Sequence, residues 1–523
     1  MSKQHLFSRN AQLSRLGEHA GLWDIVVIGG GATGIGVALD AASRGYQVAL
    51  LEQHDFGKGT SSRSTKLIHG GVRYLQQGNI GLVRDSLRER GRLRANAPHL
   101  VYPLPTIVPL YRWWEPPYYR LGLIAYDLLS GSYSLGSSTR LSIDETIAHL
   151  PTIRRQNLRG GIRYYDAGFD DARLLINMAQ TAVDLGAICL NYTPVESFLH
   201  QGEKITGVVA TDRESGDSLT IQARVVINAA GPFSDEVRRL DDPQAKPYLA
   251  ASQGIHIVVD RRFLPGSSAL IVPKTADGRI VFAIPWNGHT LIGTTDTPLD
   301  DVSLEPQPRQ DEILFLLETV ADYLEPPPTK DDILSTFAGI RPLVGRRGSG
   351  KTSKLGRDHT LRVSSAGLVS ILGGKWTTYR RMAEDCVDRA AEVGGLRPAT
   401  CKTQDQTIVG GQGVALDDPL HVYGGTGQQL AQFLVTDPEY GDPLDEAFSY
   451  VAGQVIWAAR HEMARTVEDV LARRLRALFL NAPAALRAAP RVADLLADEL
   501  GRNDAWKTSQ IEDFEAVARH YLV

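Results

Sequence analysis

The 523 residues are 43% hydrophobic and 22% charged, the balance of a globular chain, which excludes disordered, collagenous and multi-span membrane classes. Lysine plus arginine number 56 against 60 aspartate plus glutamate, a net charge of −4, so the basic surplus of a general nucleic-acid binder is missing. The length suggests roughly three domains at about 150 residues each.

Residues 1–22 read as a polar N-terminal arm without the continuous apolar core of a signal peptide. From Trp23 the pattern sharpens. DIVVIG is an apolar strand, GGATG a glycine turn, IGVALDAASRG a helix stopped at Gly45, and YQVALLE a second strand ending in Glu52, a compact βαβ unit. TSSRSTKLIHGGVRYL (60–75) is a loop that leads into a helix through about Ala95, and residues 98–135 are rich in proline and aromatics. A helix over about 172–186 and the strand ARVVINAAG follow, and 250–296 alternate like an antiparallel sheet. EPPPTKDD (325–332) is a loop before STFAGIRPLVG and LVSILGGKWTTYRRMAEDCVDRAAEV return to strand and helix. Beyond about 405, alanine, leucine and arginine dominate with helical spacing in 446–480 and 482–500. No uncharged apolar run reaches the roughly 18 residues that span a bilayer. Cys189, Cys386 and Cys401 carry no CxxC spacing, which argues for a reducing compartment.

Gly29, Gly31 and Gly34 make G-x-G-x-x-G between strand and helix, with Glu52 eighteen residues beyond Gly34. Glycine allows the tight turn and close pyrophosphate approach, the helix N-terminus supplies N–H donors, and the strand-end carboxylate accepts from ribose hydroxyls. Two further glycine-ended segments, VVINAAGPFS (225–234) and LGGKWTT (372–378), suit an extended, buried FAD better than a nicotinamide nucleotide. No second fingerprint exists for NADPH, so electrons are expected from the substrate itself. Gly345 to Thr352 match the phosphate-loop expression G-x-x-x-x-G-K-[ST], but no helical stripe follows and the stretch reads as a basic surface loop. His461-Glu462 lacks the second histidine of a zinc helix, since Arg465 stands there, and no metal site is expected.

DIVVIGGGATGIGVALDAASRG, TSSRSTKLIHGGVRYL, IPWNGHTLIGTTDTPL, FAGIRPLV and LGGKWTTYR together resemble the FAD-dependent glycerol-3-phosphate dehydrogenases over about residues 23–405, and HEMARTVEDVLARRLRALFL resembles that family's C-terminal region. The resemblance implies an α/β chain. A discontinuous Rossmann-like FAD domain (about 23–97, 160–240 and 335–400) would adjoin an antiparallel-sheet substrate domain (about 98–159 and 241–334), as in amino-acid oxidases. A C-terminal all-α domain (406–523) would follow. It further implies oxidation of sn-glycerol 3-phosphate to dihydroxyacetone phosphate, with electrons passed to membrane quinone; the alternative is an oxidase that gives them to oxygen and releases hydrogen peroxide.

Carried over by motif, Arg73, Tyr74, His256, Arg341, Arg357 and Lys375 fall at the family's active-site positions. His256 would be the base for the C2 hydroxyl, Arg341 would polarise the C2 oxygen, and Arg73, Arg357 and Lys375 would hold phosphate or flavin. On the flavin side the expected contacts are Ser61 and Ser62 near the pyrophosphate, Val195 near the adenine, Gly231 at a close approach, and Gly374, Lys375, Trp376, Thr377 and Thr378 near the isoalloxazine. The family also forms homodimers. The chain departs from the pattern in its late first strand and in lacking an EF-hand loop, which favours a bacterial version over a mitochondrial one. Residues 107–131, with Trp113, Trp114, Tyr118 and Tyr119 beside Arg112 and Arg120, read as a segment able to rest on a membrane surface. The expected place is therefore the cytoplasm, attached peripherally to the inner face of the cell membrane.

Overall fold

A computed structural model of the chain describes residues 7–71, 79–113, 115–273, 275, 280–345, 358–412 and 420–523. Two sheets organise it. In the first, Val369–Gly373, Ser218–Asn228, Trp23–Ile28, Val48–Leu51 and Ile188–Leu190 run parallel in that spatial order, with His359–Val363 antiparallel at one edge. From Ile25 onward the strand Trp23–Ile28 is apolar because both its faces are covered there. Ile25 and Val27 pack with the helices Ala32–Ser43 and Asp171–Asp184, while Val26 and Ile28 pack against the hairpin Val195–Gln201 and Lys204–Thr211. Ile28, Leu51 and Gly373, at the C-terminal ends of their strands, line one cleft on the usual ligand side of an open α/β sheet.

The second sheet is predominantly antiparallel, and its longest pairing joins Leu249–Asp260 to Ile333–Val344. One face packs on the helix Gln310–Ala321 through Ile313, Leu316 and Val320, and the other on the C-terminal helices through Val258, Phe337 and Phe479. Sheet membership departs from the expected domain boundaries. Gly161–Phe169 and Ile333–Val344, read from sequence as flavin-domain strands, pair within the antiparallel sheet instead. Their alternation does not record which sheet completes their hydrogen bonds.

The N-terminal arm is also more ordered than a polar tail. Arg9–Glu18 is a helix capped by Ser8. Its Gln12 Oε1 accepts the Cys189 N–H at 3.0 Å, Arg15 donates to the Gly186 carbonyl at 3.0 Å, and Arg9 pairs with Asp212. The helix therefore covers the otherwise free edge of Ile188–Leu190, which removes a template for strand addition.

The C-terminal region is helical, as its spacing predicts, with Ala452–His461, Ala482–Leu500 and Asp504–Ala518 as its main helices. Between the first two, a π-helical turn over Asp469–Arg474 leads to Arg476 at φ +67°. This turn aims three buried arginines at residues 55–62, on the loop that follows Val48–Leu51. Arg473 and Arg474 both donate to the fully buried Asp55, three residues past Glu52, with Arg474 Nη1 2.7 Å and Nη2 2.9 Å from its two oxygens. Burial alone would raise the Asp55 carboxyl, but the two guanidinium groups hold it down at about 2.

Removing one side of a buried ion pair leaves the other uncompensated, at roughly 3–5 kcal/mol. Asp55→Ala should therefore lower the urea unfolding midpoint by the equivalent of about 3–5 kcal/mol. A shift worth less than about 1 kcal/mol would be that of a solvent-screened pair and would remove this contact from the domain interface.

Candidate active site

The fingerprint glycines each answer to a steric demand. A Cβ on Gly34 would stand 1.8 Å from the Gly29 carbonyl oxygen. Gly29 itself holds φ +110°, and its Cβ would meet the Ala229 carbonyl at 2.8 Å. Gly31 is the N-cap of the helix Ala32–Ser43, where Ser61 Oγ accepts the Ala32 N–H at 2.9 Å. Glu52 closes the far end: its Oε2 accepts the Gly30 N–H at 2.6 Å and its Oε1 the His54 N–H at 2.8 Å. Burial raises the Glu52 carboxyl and these two N–H groups oppose the rise.

One cleft runs along this turn, lined by Gly29, Gly31, Glu52, Ser61, Val195 and Gly231 and reaching Gly374, Lys375 and Trp376. A turn where no Cβ fits, a helix N-terminus, a strand-end carboxylate and a long extension away from it suit a dinucleotide flavin. Trp376 fastens the far end to the turn by donating from Nε1 to the Ser61 carbonyl at 2.8 Å.

A second chamber adjoins the cleft and shares Thr60, Pro342, Gly373, Gly374, Lys375 and Trp376 with it. Its own wall carries Thr65, His256, Arg341 and Thr377. His256 and Arg341 come from the paired strands of the second sheet, where His256 lies opposite Phe337, Gly254 opposite Gly339 and Ser252 opposite Arg341. Ser252, Gly254 and His256 share a face because strand side chains alternate. Arg341 folds across Gly254, whose Cβ would lie 2.1 Å from Nη2, and Nη2 donates to Thr294 Oγ1 at 3.1 Å. Gly293, opposite His256 on the other neighbouring strand, leaves room for the imidazole, since a Cβ there would come within 2.1 Å of its Cδ2.

His256 is buried and stacked on Phe337 at a centroid distance of 4.8 Å, and its Nε2 bonds Thr65 Oγ1 at 2.9 Å. Burial, then the charges of Lys66 and Arg341, hold its pKa well below 6.5, so the ring is neutral near pH 7.

The loop behind Thr65 is tied to Asp171. Ser64 N–H and Oγ donate to Asp171 Oδ2 at 3.1 and 2.7 Å, and Lys66 Nζ to the same oxygen at 2.6 Å. Arg476 donates to Asp171 Oδ1 at 3.2 Å and to the Ser62 carbonyl at 2.8 Å. Burial pushes the Lys66 ammonium down to about 7 against the pull of Asp171. Burial would raise Asp171, but Lys66 and Arg476 bring its carboxyl below the usual range.

The sequence-derived residues therefore fall into three groups. Gly29, Gly31, Glu52, Ser61, Val195, Gly231, Gly374, Lys375 and Trp376 line the cofactor cleft, and His256, Arg341 and Thr377 line the adjoining chamber. Three serve from behind. Gly34 acts through packing, Ser62 turns its carbonyl to Lys66 and Arg476, and Thr378 donates from Oγ1 to the Lys375 carbonyl. Arg73, Tyr74 and Arg357 lie outside the described residues, as does 346–352 of the phosphate-loop-like stretch. Sequence reasoning missed Thr65, Gly254, Gly293 and Asp171. Thr65, Gly293 and Gly254 lie in the TSSRSTK, LIGTTD and SQGIHIVV segments, whereas Asp171 lies in none of the quoted motifs.

Residues 24–380 match the family described as FAD dependent oxidoreductase, and 369–507 match the C-terminal domain of alpha-glycerophosphate oxidase. Mitochondrial glycerol-3-phosphate dehydrogenase from Rattus norvegicus is 40% identical over 97% of this chain and 74% of its own length. The Homo sapiens protein of that name is 40% identical over 98% and 75%. Among solved structures, glycerol-3-phosphate dehydrogenase from Bacillus halodurans complexed with FAD is similar at a TM-score of 0.80 and 31% identity, over 100% of this chain and 98% of the other. L-alpha-glycerophosphate oxidase from Mycoplasma pneumoniae shares the fold at a TM-score of 0.57 and 19% identity, over 73% and 97%.

The contact of Gly34 with Gly29 leads to a direct test. Gly34→Ala should give protein with near-zero flavin absorbance per chain. Gly17→Ala, at a helical glycine with nothing within 4 Å, should keep a full complement. Stoichiometric flavin in purified Gly34→Ala would show that the turn tolerates a Cβ.

Proposed function

The chain belongs to the FAD dependent oxidoreductases and, within them, to the glycerol-3-phosphate dehydrogenase family, and from that premise we propose that it oxidises sn-glycerol 3-phosphate to dihydroxyacetone phosphate and passes the electrons to a membrane quinone. The observation that carries this reading is the meeting of His256 and Arg341 in one chamber that opens onto the cofactor cleft at Gly374 and Lys375. FAD, when bound, supplies the acceptor for the hydride leaving C2. The remaining work belongs to the chain's own side chains. His256, neutral and enclosed, takes up the C2 hydroxyl proton. Arg341 stabilises charge growing on the C2 oxygen, and Lys375 holds an anionic group where the two cavities meet. Arg73, Tyr74 and Arg357 complete the anion-binding set in this proposal.

Membrane contact is proposed on the helix Glu115–Ser130 and the turn before it. Tyr126 and Leu123 are buried, whereas Ile124 and Leu128, one turn apart, face outward; Leu128 and the nearby Trp113 are each 78% exposed. Ile80, at the start of the adjacent helix Ile80–Asn96, adds a further exposed apolar side chain. Among the described residues no helix is long and apolar enough to cross a membrane. Resting on the surface is the mode that such a patch supports, and the proposal puts the chain on the cytoplasmic face, where its three free cysteines would stay reduced.

Anaerobic mixing with sn-glycerol 3-phosphate should bleach the oxidised flavin band promptly, and a soluble quinone should restore it faster than air does, without peroxide. A band that persists would overturn the substrate; rapid recovery in air with stoichiometric peroxide would overturn the quinone in favour of an oxidase. Because His256 titrates well below 6.5, its proton-accepting form persists as pH falls through 6.5. The plateau of kcat should therefore extend below pH 6.5, and an acid limb centred at 6.5 or higher would point to a different base. Trp113→Asp with Leu128→Asp should weaken co-sedimentation with anionic vesicles about tenfold or more, from ~1.5–3 kcal/mol per buried apolar side chain. Flavin reduction should be unchanged, and unaltered sedimentation would remove this patch from the membrane contact.

A further inference from the structure

His256 is a base with one usable corner. The residue is only 2% exposed. Phe337 stacks against the ring, and the Gly293 backbone lies along its Cδ2 edge. Nδ1 is buried with no hydrogen-bond partner. A proton can therefore enter or leave only through Nε2, and that nitrogen already bonds Thr65 Oγ1 at 2.9 Å. Thr65 is the more accessible of the pair: it is part-exposed and lines the chamber beside Arg341 and Lys375.

The loop fixes that hydroxyl from both sides. Ser64 and Lys66, the two neighbours of Thr65, are held by the same oxygen of the buried Asp171. Lys66 keeps φ +60°, unusual for a residue with a Cβ, and its Nζ also donates to the Ser62 carbonyl at 2.8 Å. Such backbone persists only where its surroundings over-determine it. Here they confine Thr65 to the place between chamber and imidazole.

Resting on the reading of His256 as base, we propose that Thr65 is a catalytic proton relay between the substrate hydroxyl and the imidazole. The C2 hydroxyl gives its proton to Thr65 Oγ1 while the Thr65 hydroxyl proton passes to Nε2 of His256. One O–H bond breaks at the substrate and one forms at Thr65. The original Thr65 O–H bond breaks and an N–H bond forms at His256, so the threonine ends unchanged and the imidazole carries the positive charge. The C2–H electron pair leaves as hydride to the cofactor, and C2–O becomes the carbonyl. A hydroxyl can do this because it donates and accepts at once; valine, of the same shape, can do neither.

The test is anaerobic flavin reduction in a single turnover by the holoenzyme, in H2O–D2O mixtures, for wild type, Thr65→Val, Thr65→Ser and His256→Gln. Thr65→Val should slow reduction by about 10²-fold or more with flavin content and substrate dissociation constant unchanged, while Thr65→Ser stays within about fivefold. The rates of wild type and Thr65→Ser should follow a quadratic curve in the deuterium fraction that bows below the straight line between pure H2O and pure D2O, as two protons in flight require. Should Thr65→Val purify without flavin, Thr65→Ala replaces it in the same assay. A Thr65→Val rate within about threefold of wild type, or a linear deuterium dependence in wild type, overturns the relay. If His256→Gln is slow in that case, the base assignment survives alone; if His256→Gln is also fast, the base assignment fails with it.

Discussion

The carboxylate of Asp171 is the point on which the two sheets and the C-terminal helices converge. It begins the helix Asp171–Asp184, is fully buried, and accepts from Ser64, Lys66, Ala172 and Arg476. Its side-chain partners serve two tasks. Ser64 and Lys66 set the loop that presents Thr65 to His256, and Arg476 brings in the C-terminal domain. A carboxylate stripped of water is expensive unless its lone pairs are filled, so this hub holds only when all of those segments are in place together. The geometry of the reactive chamber and the docking of the C-terminal domain are therefore one condition.

The same logic recurs three residues past Glu52. Asp55 takes donors from Arg473 and Arg474, and Lys58, on the same loop, pairs with Glu468. The cofactor turn is thus braced from the far side by helices more than 400 positions later. Buried ion pairs add little net stability compared with apolar packing. Their value lies in direction: they align the π-helical turn Asp469–Arg474 with the loop that carries Glu52 and Ser61. The C-terminal domain is in this sense a support of the cofactor site from behind, although none of its described residues lines the cleft.

On the substrate side, order comes from missing side chains. Gly254 and Gly293 leave the room into which Arg341 and His256 fold, and the register of Leu249–Asp260 with its two neighbours brings both glycines, the guanidinium and the imidazole to one surface. A one-residue slip in that pairing would turn His256 to the opposite face. The buried run of this strand thus secures the chamber wall as well as the core.

The fingerprint, its strand and helix, Glu52 and the helical tail were legible in the sequence because each is a local pattern: a turn that excludes Cβ, a 3.6-residue period, an apolar strand covered on both faces. The segments SQGIHIVV, FAGIRPLV and GGKWTT were likewise readable as a set, and they carried His256, Arg341 and Lys375 into view. The tertiary structure alone decided what faces what. Thr65 meets His256 across 191 positions and Asp171 meets Arg476 across 305. The sheet that Gly161–Phe169 joins, and the helix Arg9–Glu18 that covers a strand edge, were settled in the same way. Such pairings leave no trace in local periodicity, because they depend on strand register and on which buried charge finds an opposite charge. Both are properties of the packed chain.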